Sequence, residues 1–239
     1  MVSPESEVVN TTGMATDSAI VMFADGKPTD VLRAYPVLDK PATRALAERL
    51  FPGAELEEVG DQLLADALSP PEHVAYIGCF PGLDLVCSWT IMPDRPSLLD
   101  PALLTATERP NAYLHAVHAD AGWCAFGVWQ NGVLVRACSA GPDDGLLEDL
   151  GDRLAFERDS WDDGRLTEAP YALGQAALHG LFGIGLPADG HLDDVDPELI
   201  PVVGYRVTAP AEPGSRPADL AAVPEPRAGD ATPVTLETA

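Results

Sequence analysis

The sequence predicts an α+β fold: a single domain with a mixed β-sheet, antiparallel at its centre and covered by three to four helices. First, two apolar runs within 123–139 flank the pair Asn131-Gly132, the strongest short-range code for a β-hairpin. Second, a continuous apolar run over 18–24 is typical of a strand buried on both faces. Third, apolar residues recur at helical spacing over 41–51 and 171–182. Strand and helix patterns therefore alternate along one domain-sized segment.

The first half of the domain combines strands with short helices. The turn residues Asp25-Gly26 end the first strand, and Pro52-Gly53 stops the second helix. We expect, in chain order, a strand over 18–24, a short helix over 28–35, a helix over 41–51, a short edge strand over 56–59 and a short helix over 62–68.

The second half begins with antiparallel strands and ends with a helix. Pro81-Gly82 suits a type II turn, and Gly183 suits the left-handed residue that follows a helix. Residues 140–169 are acidic and rich in turn formers, so we interpret them as loops. We expect strands over 74–80 and 83–91, a helical turn over 101–106, a strand over 112–118, the hairpin over 123–139, a helix over 171–182 and a final edge strand over 200–207, which Pro201 weakens.

The two ends of the chain differ in composition from the domain. Residues 1–16 are polar and aperiodic, and residues 208–239 are dominated by Pro, Ala, Glu, Gly and Thr. Such segments bury too little apolar surface to offset the entropy lost on ordering. We therefore expect a disordered N-terminal extension over 1–16, an α+β domain over 17–207 and a disordered tail over 208–239.

Charge and cysteine usage limit the classes of partner. The formal net charge is −24, which disfavours binding to nucleic acid or to anionic membranes, because both need clustered Lys and Arg. A DNA-mimicking protein is a minor alternative, since the acids are scattered rather than arranged in a stripe. No secretory signal and no apolar run of about 20 residues is visible. The four cysteines form no CxxC pair. We expect a cytoplasmic protein with reduced thiols.

Arg136 is the main candidate for a functional cation. With Asn131-Gly132 as the turn, uninterrupted pairing places Arg136 opposite Gly127 and on the same sheet face as Trp129. Because Gly127 has no side chain, the guanidinium has room to stack on the Trp129 ring. We therefore predict a binding patch of Arg136 and Trp129. The structural alternative is an Arg paired with an acid at the rim of the sheet.

Three further residues are candidate binding residues. Asp25 follows the first strand just before a helix, where α/β proteins place ligand-contacting acids, although Asp-Gly is also a common turn. His115 and His118 lie three residues apart on a predicted strand, so they point to opposite faces and cannot share a metal ion. His118 and Asp120 can share a side, which keeps zinc as a minor alternative to core or rim histidines. We expect no metal and no cofactor.

Signatures of an enzyme are weak. Ser139 follows a strand, but no G-x-S-x-G elbow surrounds it. Cys124 forms a dyad with His118 only if folding brings the two together, and a buried structural cysteine is commoner. Residues 183–185 lack the upstream strand and later glycine of a nucleotide-binding loop. The sequence predicts no catalytic residue.

Several segments in one order resemble an uncharacterised family of actinobacterial proteins, known only as a domain of unknown function. They are 123–136, Asp143-Asp-Gly145, Phe156-Glu157, Ala24-Asp25-Gly26, Leu50-Phe-Pro-Gly53, Asp94-Arg-Pro-Ser97 and the Leu-Gly-x-x-Ala-Leu helix over 173–178. The resemblance covers about 19–182 and implies a soluble bacterial protein without assigning an activity. The hairpin with its Arg also resembles, more distantly, hairpins of bacterial immunity-type interaction proteins.

Two functional hypotheses follow. The first is a non-enzymatic binding or protein-interaction protein with an unidentified protein partner, an acidic surface and the Arg136/Trp129 patch. The second is a small hydrolase-like enzyme with a site at the strand ends, in which Asp25 and His118 act as acid–base groups. Convergence of Asp25, a histidine and Arg136 in one pocket favours the enzyme, whereas their separation favours the binding protein.

Overall fold

The computed structural model describes residues 17–185 and 194–208, which form a large antiparallel sheet with helices packed on both faces. The strands are β1 (Ser18–Ala24), β2 (Glu55–Leu63), β3 (Val74–Phe80), β4 (Leu83–Cys87), β5 (Asn111–His118), β6 (Trp123–Gln130), β7 (Val133–Gly141), β8 (Gly145–Gly151), β9 (Trp161–Asp162), β10 (Arg165–Leu166) and β11 (Pro201–Thr208). The α-helices are α1 (Pro28–Leu32), α2 (Lys40–Leu50), α3 (Leu64–Ala67), α4 (Pro101–Leu104) and α5 (Pro170–Phe182).

The main sheet has nine strands in the order β2-β11-β3-β4-β1-β5-β6-β7-β8, and β9 pairs with β10 in a separate small hairpin. Each pairing described within the main sheet is antiparallel. An antiparallel sheet combined with α-helices agrees with the expected α+β class, but the described residues contain more α-helices than the three to four expected. The sheet was expected to be mixed, with some parallel strand pairs, and for the described strands this expectation was wrong. Neighbouring strands are joined either by hairpins or by longer connections, and in both cases they run in opposite directions.

The central strand β1 is buried on both faces, as its continuous apolar run predicts. Ile20 and Met22 point to the face covered by α5, and Val21 and Phe23 point to the opposite face, covered by α2. We call these the α5 face and the α2 face. Because every residue of β1 is buried, each face of the sheet supplies its own hydrophobic core.

The Asn131-Gly132 hairpin forms between β6 and β7, and both turn residues have positive φ. The register agrees with the prediction only next to the turn, where Trp129 lies opposite Leu134. Val135 is then the extra residue of a β-bulge, so Arg136 lies opposite Val128 rather than Gly127. A one-residue shift moves the following side chains to the other sheet face. The predicted pairing of Arg136 with Gly127 was therefore wrong.

Strands β8 and β11 differ from what the sequence predicted. Residues 145–151, interpreted as loop, form the edge strand β8. The last strand, expected at an edge, lies between β2 and β3, and its first residue Pro201 pairs with Leu63. The true edge on that side is β2, which is longer than expected and occupies residues assigned to the start of a helix over 62–68.

Other elements lie close to their expected positions. Strand β4 ends at Cys87, and the residues after it form a 3₁₀ turn over Trp89–Ile91 instead of continuing the strand. Gly183 ends α5 in the left-handed conformation at φ 70°. Apart from Thr208, which ends β11, the segments 1–16 and 208–239 lie outside the described residues, so the expected domain boundaries stay a prediction.

Candidate functional site

Arg136 is fully buried and bound to two carboxylates. Its Nη1 lies 2.6 Å from Asp149 Oδ1, and its Nε donates to Glu157 Oε1 at 2.9 Å. Glu157 is also fully buried and accepts a hydrogen bond from the Leu154 backbone N–H. Burial opposes the charge of Arg136, but the hydrogen bonds to Glu157 and Asp149 outweigh it and raise the pKa of the guanidinium. This cation holds together β7, β8 and the 3₁₀ turn Ala155–Ser160, which contains Glu157.

The expected patch of Arg136 and Trp129 does not form. The bulge places Arg136 on the α5 face, where its guanidinium lies 5.8 Å from the ring centroid of Phe126. Trp129 is buried in the core of the α2 face. The two side chains therefore lie on opposite sides of the sheet, and the structural alternative of an ion-paired Arg describes Arg136 better.

His115 is a buried residue of the α5 face. Its Nε2 donates to Gly174 O at 2.8 Å, its Nδ1 lies 3.3 Å from Ser18 Oγ, and its ring packs edge-on against Phe182. Burial lowers the pKa of His115 to about 4, although the bond to Gly174 opposes this shift. The neutral ring therefore links β5, β1 and α5, which is a positioning role within the fold.

Asp25 lies at the end of β1 in a cluster with Arg109. The Arg109 Nη1 is 2.7 Å from Asp25 Oδ2, and its Nε is 3.3 Å from Asp84 Oδ2. Arg109 Nη2 also donates to Phe80 O. The cluster connects the neighbouring ends of β1, β3, β4 and β5. Asp25 therefore has a structural role as an ion-pair partner of Arg109.

His118 lies at the opposite end of the sheet from Asp25. The pairing of β1 with β5 runs from Ala24 opposite Asn111 to Ser18 opposite Val117. At about 3.3 Å per residue, the two ends of this ladder are roughly 20 Å apart. Asp25 and His118 therefore cannot act on one substrate atom, and Arg136 joins neither.

His118 instead belongs to a cleft of about 710 Å³ at the ends of β5, β6 and β7. Its side chain is 49% exposed, its ring lies 5.8 Å from that of Trp89, and its Nδ1 is 3.6 Å from Asp17 Oδ1. Trp123 is half-buried and also lines the cleft. We call it the tryptophan cleft; further lining residues are Asp94, Arg95, Asp120, Asp143, Asp144 and Leu147.

Described neighbours do not neutralise the charges of the tryptophan cleft. Among the described lining residues, four are carboxylates and Arg95 is the one Lys or Arg. None of these five groups forms an ion pair or side-chain hydrogen bond with another described residue. Uncommitted acids next to accessible indole rings form a site that favours a cation. Leu147, the extra residue of a bulge in β8, adds an apolar wall.

The thiols offer no reactive group. Cys79, Cys87, Cys124 and Cys138 are all buried and free, and burial raises the pKa of Cys124 and Cys138 to about 12. Cys124 points to the α5 face, whereas His118 is exposed at the strand end, so the two form no dyad. Within residues 17–185 and 194–208, no three His, Cys, Asp or Glu side chains are grouped to hold a metal ion.

Comparison with known proteins places the chain in a family. Residues 18–205 match the family of unknown function DUF6928. The chain belongs to this family. The match begins at the first residue of β1 and ends within β11, so it includes both the tryptophan cleft and the edge strand β2. It extends to residue 205, past the segment of about 19–182 that the sequence resemblance covers. Searches of curated proteins and of solved structures found no match.

His118 and its possible neighbour Asp120 were predicted together, but the other residues of the cleft were not expected beside them. Trp89 comes after a strand that was expected to continue past it, so its exposure was not predicted. Arg95 and Asp143 lie in two of the segments through which the chain resembles the family, which was a usable signal. Folding brings these distant segments to one end of the sheet.

None of the described helices is both long enough and apolar enough to cross a membrane.

Proposed function

We propose that this is a protein-interaction protein and that its tryptophan cleft binds a cationic side chain of a protein partner. The observation that carries the proposal is the set of four uncommitted carboxylates beside two accessible tryptophans. An Arg or Lys side chain supplies both the positive charge and the apolar stem that this lining accommodates.

The same observation favours a protein partner over nucleic acid. Phosphate-bearing ligands are repelled by the acids of the cleft and by the net charge of −24. Association with a basic protein surface is accelerated by that charge and weakened by salt. The proposal includes a cytoplasmic location and a non-enzymatic role without a cofactor. The separation of Asp25 from His118 removes the acid–base pair on which the hydrolase hypothesis depended.

The test uses a basic tripeptide as the probe. Acetyl-Gly-Arg-Gly-amide is titrated into the full chain while tryptophan fluorescence is recorded, with the norleucine and glutamate tripeptides as neutral and acidic probes. We expect saturable binding of the Arg peptide alone, in the millimolar range typical of one side chain, and an at least fivefold weaker affinity when salt is raised from 50 to 500 mM.

Matched variants locate the binding. Asp143→Asn/Asp144→Asn removes two carboxylates from the cleft, and Glu55→Gln/Glu58→Gln removes two exposed carboxylates from β2 at the far edge of the sheet. Both double variants change the net charge by the same amount. We expect the cleft variant to weaken binding at least fivefold and the β2 variant to leave it within twofold. Equal effects, or equal binding of the norleucine peptide, would contradict the proposal.

A further inference from the structure

We infer a second binding site, separate from the tryptophan cleft, for a small organic amine with an apolar body. It is a cavity of about 480 Å³ on the α5 face, between α3, α5 and the 3₁₀ turn Pro197–Leu199. This volume lies within the range of small-molecule pockets. Among the residues that the structure describes, the cavity and the tryptophan cleft have no lining residue in common.

The cavity has an apolar floor and a polar mouth. Leu178 and Ile184 are buried and form the floor. Ser69, Asp196 and Glu198 are exposed at the mouth. A ligand with a hydrocarbon body and one polar end matches this division, because its body leaves water while its polar end stays near the mouth.

Gln175 of α5 indicates where the polar group of the ligand binds. Gln175 lines the cavity, and its Oε1 is buried without a hydrogen-bond partner among the described residues. A buried acceptor without a donor costs free energy, so native structures rarely leave one unpaired. Within the described part of the chain, the other buried side-chain atoms without a partner are Ser139 Oγ and Trp161 Nε1, and their residues line neither of these two sites. A ligand N–H group satisfies the acceptor.

The charge around the cavity selects a cation as the donor. Asp17, Asp196 and Glu198 line it, and no Lys or Arg is among the described lining residues. Asp17 already accepts from the Ala119 N–H, and Asp196 accepts from the Glu198 N–H. The Glu198 carboxylate has no partner among the described residues. An ammonium group therefore gains both the Gln175 oxygen and the field of these acids, whereas a carboxylate is repelled.

The test compares three probes of equal chain length. Hexylammonium, 1-hexanol and hexanoate are titrated separately into the full chain, and NMR follows the Gln175 side-chain amide and the Ile184 methyl groups. We expect hexylammonium to shift both sets of signals, to bind at least fivefold more tightly than hexanol and at least twentyfold more tightly than hexanoate. Unchanged signals with hexylammonium, or equal binding of hexanoate, would overturn the inference.

Two variants distinguish the contribution of the Gln175 amide to binding from that of the cavity volume. Gln175→Leu is expected to weaken hexylammonium binding at least fivefold and to raise the midpoint of thermal unfolding of the free protein, because it removes an unpaired buried oxygen. Leu178→Trp fills the floor and is expected to abolish binding of every probe. Gln130→Leu, an exposed glutamine at the end of β6, is the control and should change neither quantity.

A decrease in the unfolding midpoint for Gln175→Leu, with unchanged affinity for hexylammonium, would show that the amide is structural and would overturn the inference. The experiment is independent of the tryptophan cleft. Asp143→Asn/Asp144→Asn should bind hexylammonium at this cavity as the unmodified chain does, even if the Arg tripeptide fails to bind to the cleft.

Discussion

His115 and His118 show how strongly position on one strand decides the chemistry of a residue. They differ by three positions on β5 and therefore face opposite sides of the sheet. His115 is sealed between Gly174 and Phe182, whereas half of the His118 side chain is exposed beside Trp89. Of the two, His118 is placed to meet a ligand, whereas the buried ring of His115 makes stability depend on pH.

The lowered pKa of His115 predicts acid sensitivity of the fold. Its pKa is about 4 in the folded chain and 6.5 in the unfolded chain, so the unfolded state binds the proton more tightly. This contribution to stability is complete above pH 6.5 and is lost as the pH falls towards 4. Between pH 7 and pH 5 we expect a loss of about 2 kcal/mol from this residue.

Urea unfolding of the unmodified chain, of His115→Gln and of the control Gln130→Leu at pH 7 and pH 5 checks this expectation. The loss of stability between the two pH values should shrink by about 2 kcal/mol in His115→Gln and stay unchanged in Gln130→Leu, which replaces an exposed side chain without an ionisable group. A similar loss in all three proteins would mean that the buried ring does not titrate as its environment requires.

The buried ion pair of Arg136 and Glu157 predicts a second residue-scale effect. Arg136→Met leaves the Glu157 carboxylate buried without its partner, which typically costs about 3–5 kcal/mol. Arg206→Met breaks an exposed pair with Glu57 and should cost less than about 1 kcal/mol. Denaturant unfolding measures both. The double variant Arg136→Met/Glu157→Gln should recover part of the loss, and a further decrease would contradict this explanation.

At the scale of elements, the β6–β7 hairpin combines a predictable turn with an unpredictable bulge. Asn131-Gly132 specifies the turn locally, because both residues tolerate positive φ. The bulge at Val135 depends on the neighbouring strand. Gly151 of β8 pairs with Arg136, and a Cβ atom at Gly151 would lie 2.0 Å from Val135 O. A glycine at the end of β8 therefore makes the close approach at the bulge possible.

Because of the bulge, replacement by alanine is expected to cost different amounts of stability at two glycines that have nearly equal φ. Gly151 has φ 77° and Gly164 has φ 78°, but Gly164 has open space where a Cβ would lie. Gly164→Ala should cost about 1 kcal/mol, from backbone strain alone. Gly151→Ala should cost more than about 2 kcal/mol, because its methyl group also displaces the β7 backbone. Thermal unfolding compares them, and equal costs would exclude a steric role for Gly151.

For the whole molecule, excess negative charge opposes folding. The chain has 38 acidic and 14 basic residues, so compaction brings like charges together. Exposed ion pairs contribute little, and salt screens repulsion and attraction alike. Raising the ionic strength from 0.01 to 0.2 M should therefore stabilise the protein. A gain of about 1 kcal/mol would raise the unfolding midpoint by about 2–4 °C.

Calorimetry in sodium chloride and sodium fluoride at equal ionic strength distinguishes screening from specific ion effects. Both salts should give the same increase in the unfolding midpoint if screening is responsible. A decrease in either salt would mean that attractive pairs, such as Lys40 with Asp61, dominate the electrostatics of the folded chain.

Local signals in the sequence determined much of the sheet. The buried strand β1, the type of the Asn131-Gly132 turn and the end of α5 at Gly183 each depend on backbone preference or on a continuous apolar run. Such preferences are properties of a few adjacent residues, so they can be recognised without the rest of the chain.

Tertiary structure alone decided the site and the second edge of the sheet. Glu148 and Asp149 make residues 145–151 resemble a solvated loop, yet Ser97 and Arg136 satisfy these carboxylates from distant positions and allow β8 to form. The tryptophan cleft likewise unites residues from three strand ends and the return after β4. An acidic side chain is buried without a large cost only where a donor pairs with it, so long-range packing determined whether these carboxylates meet water or a donor.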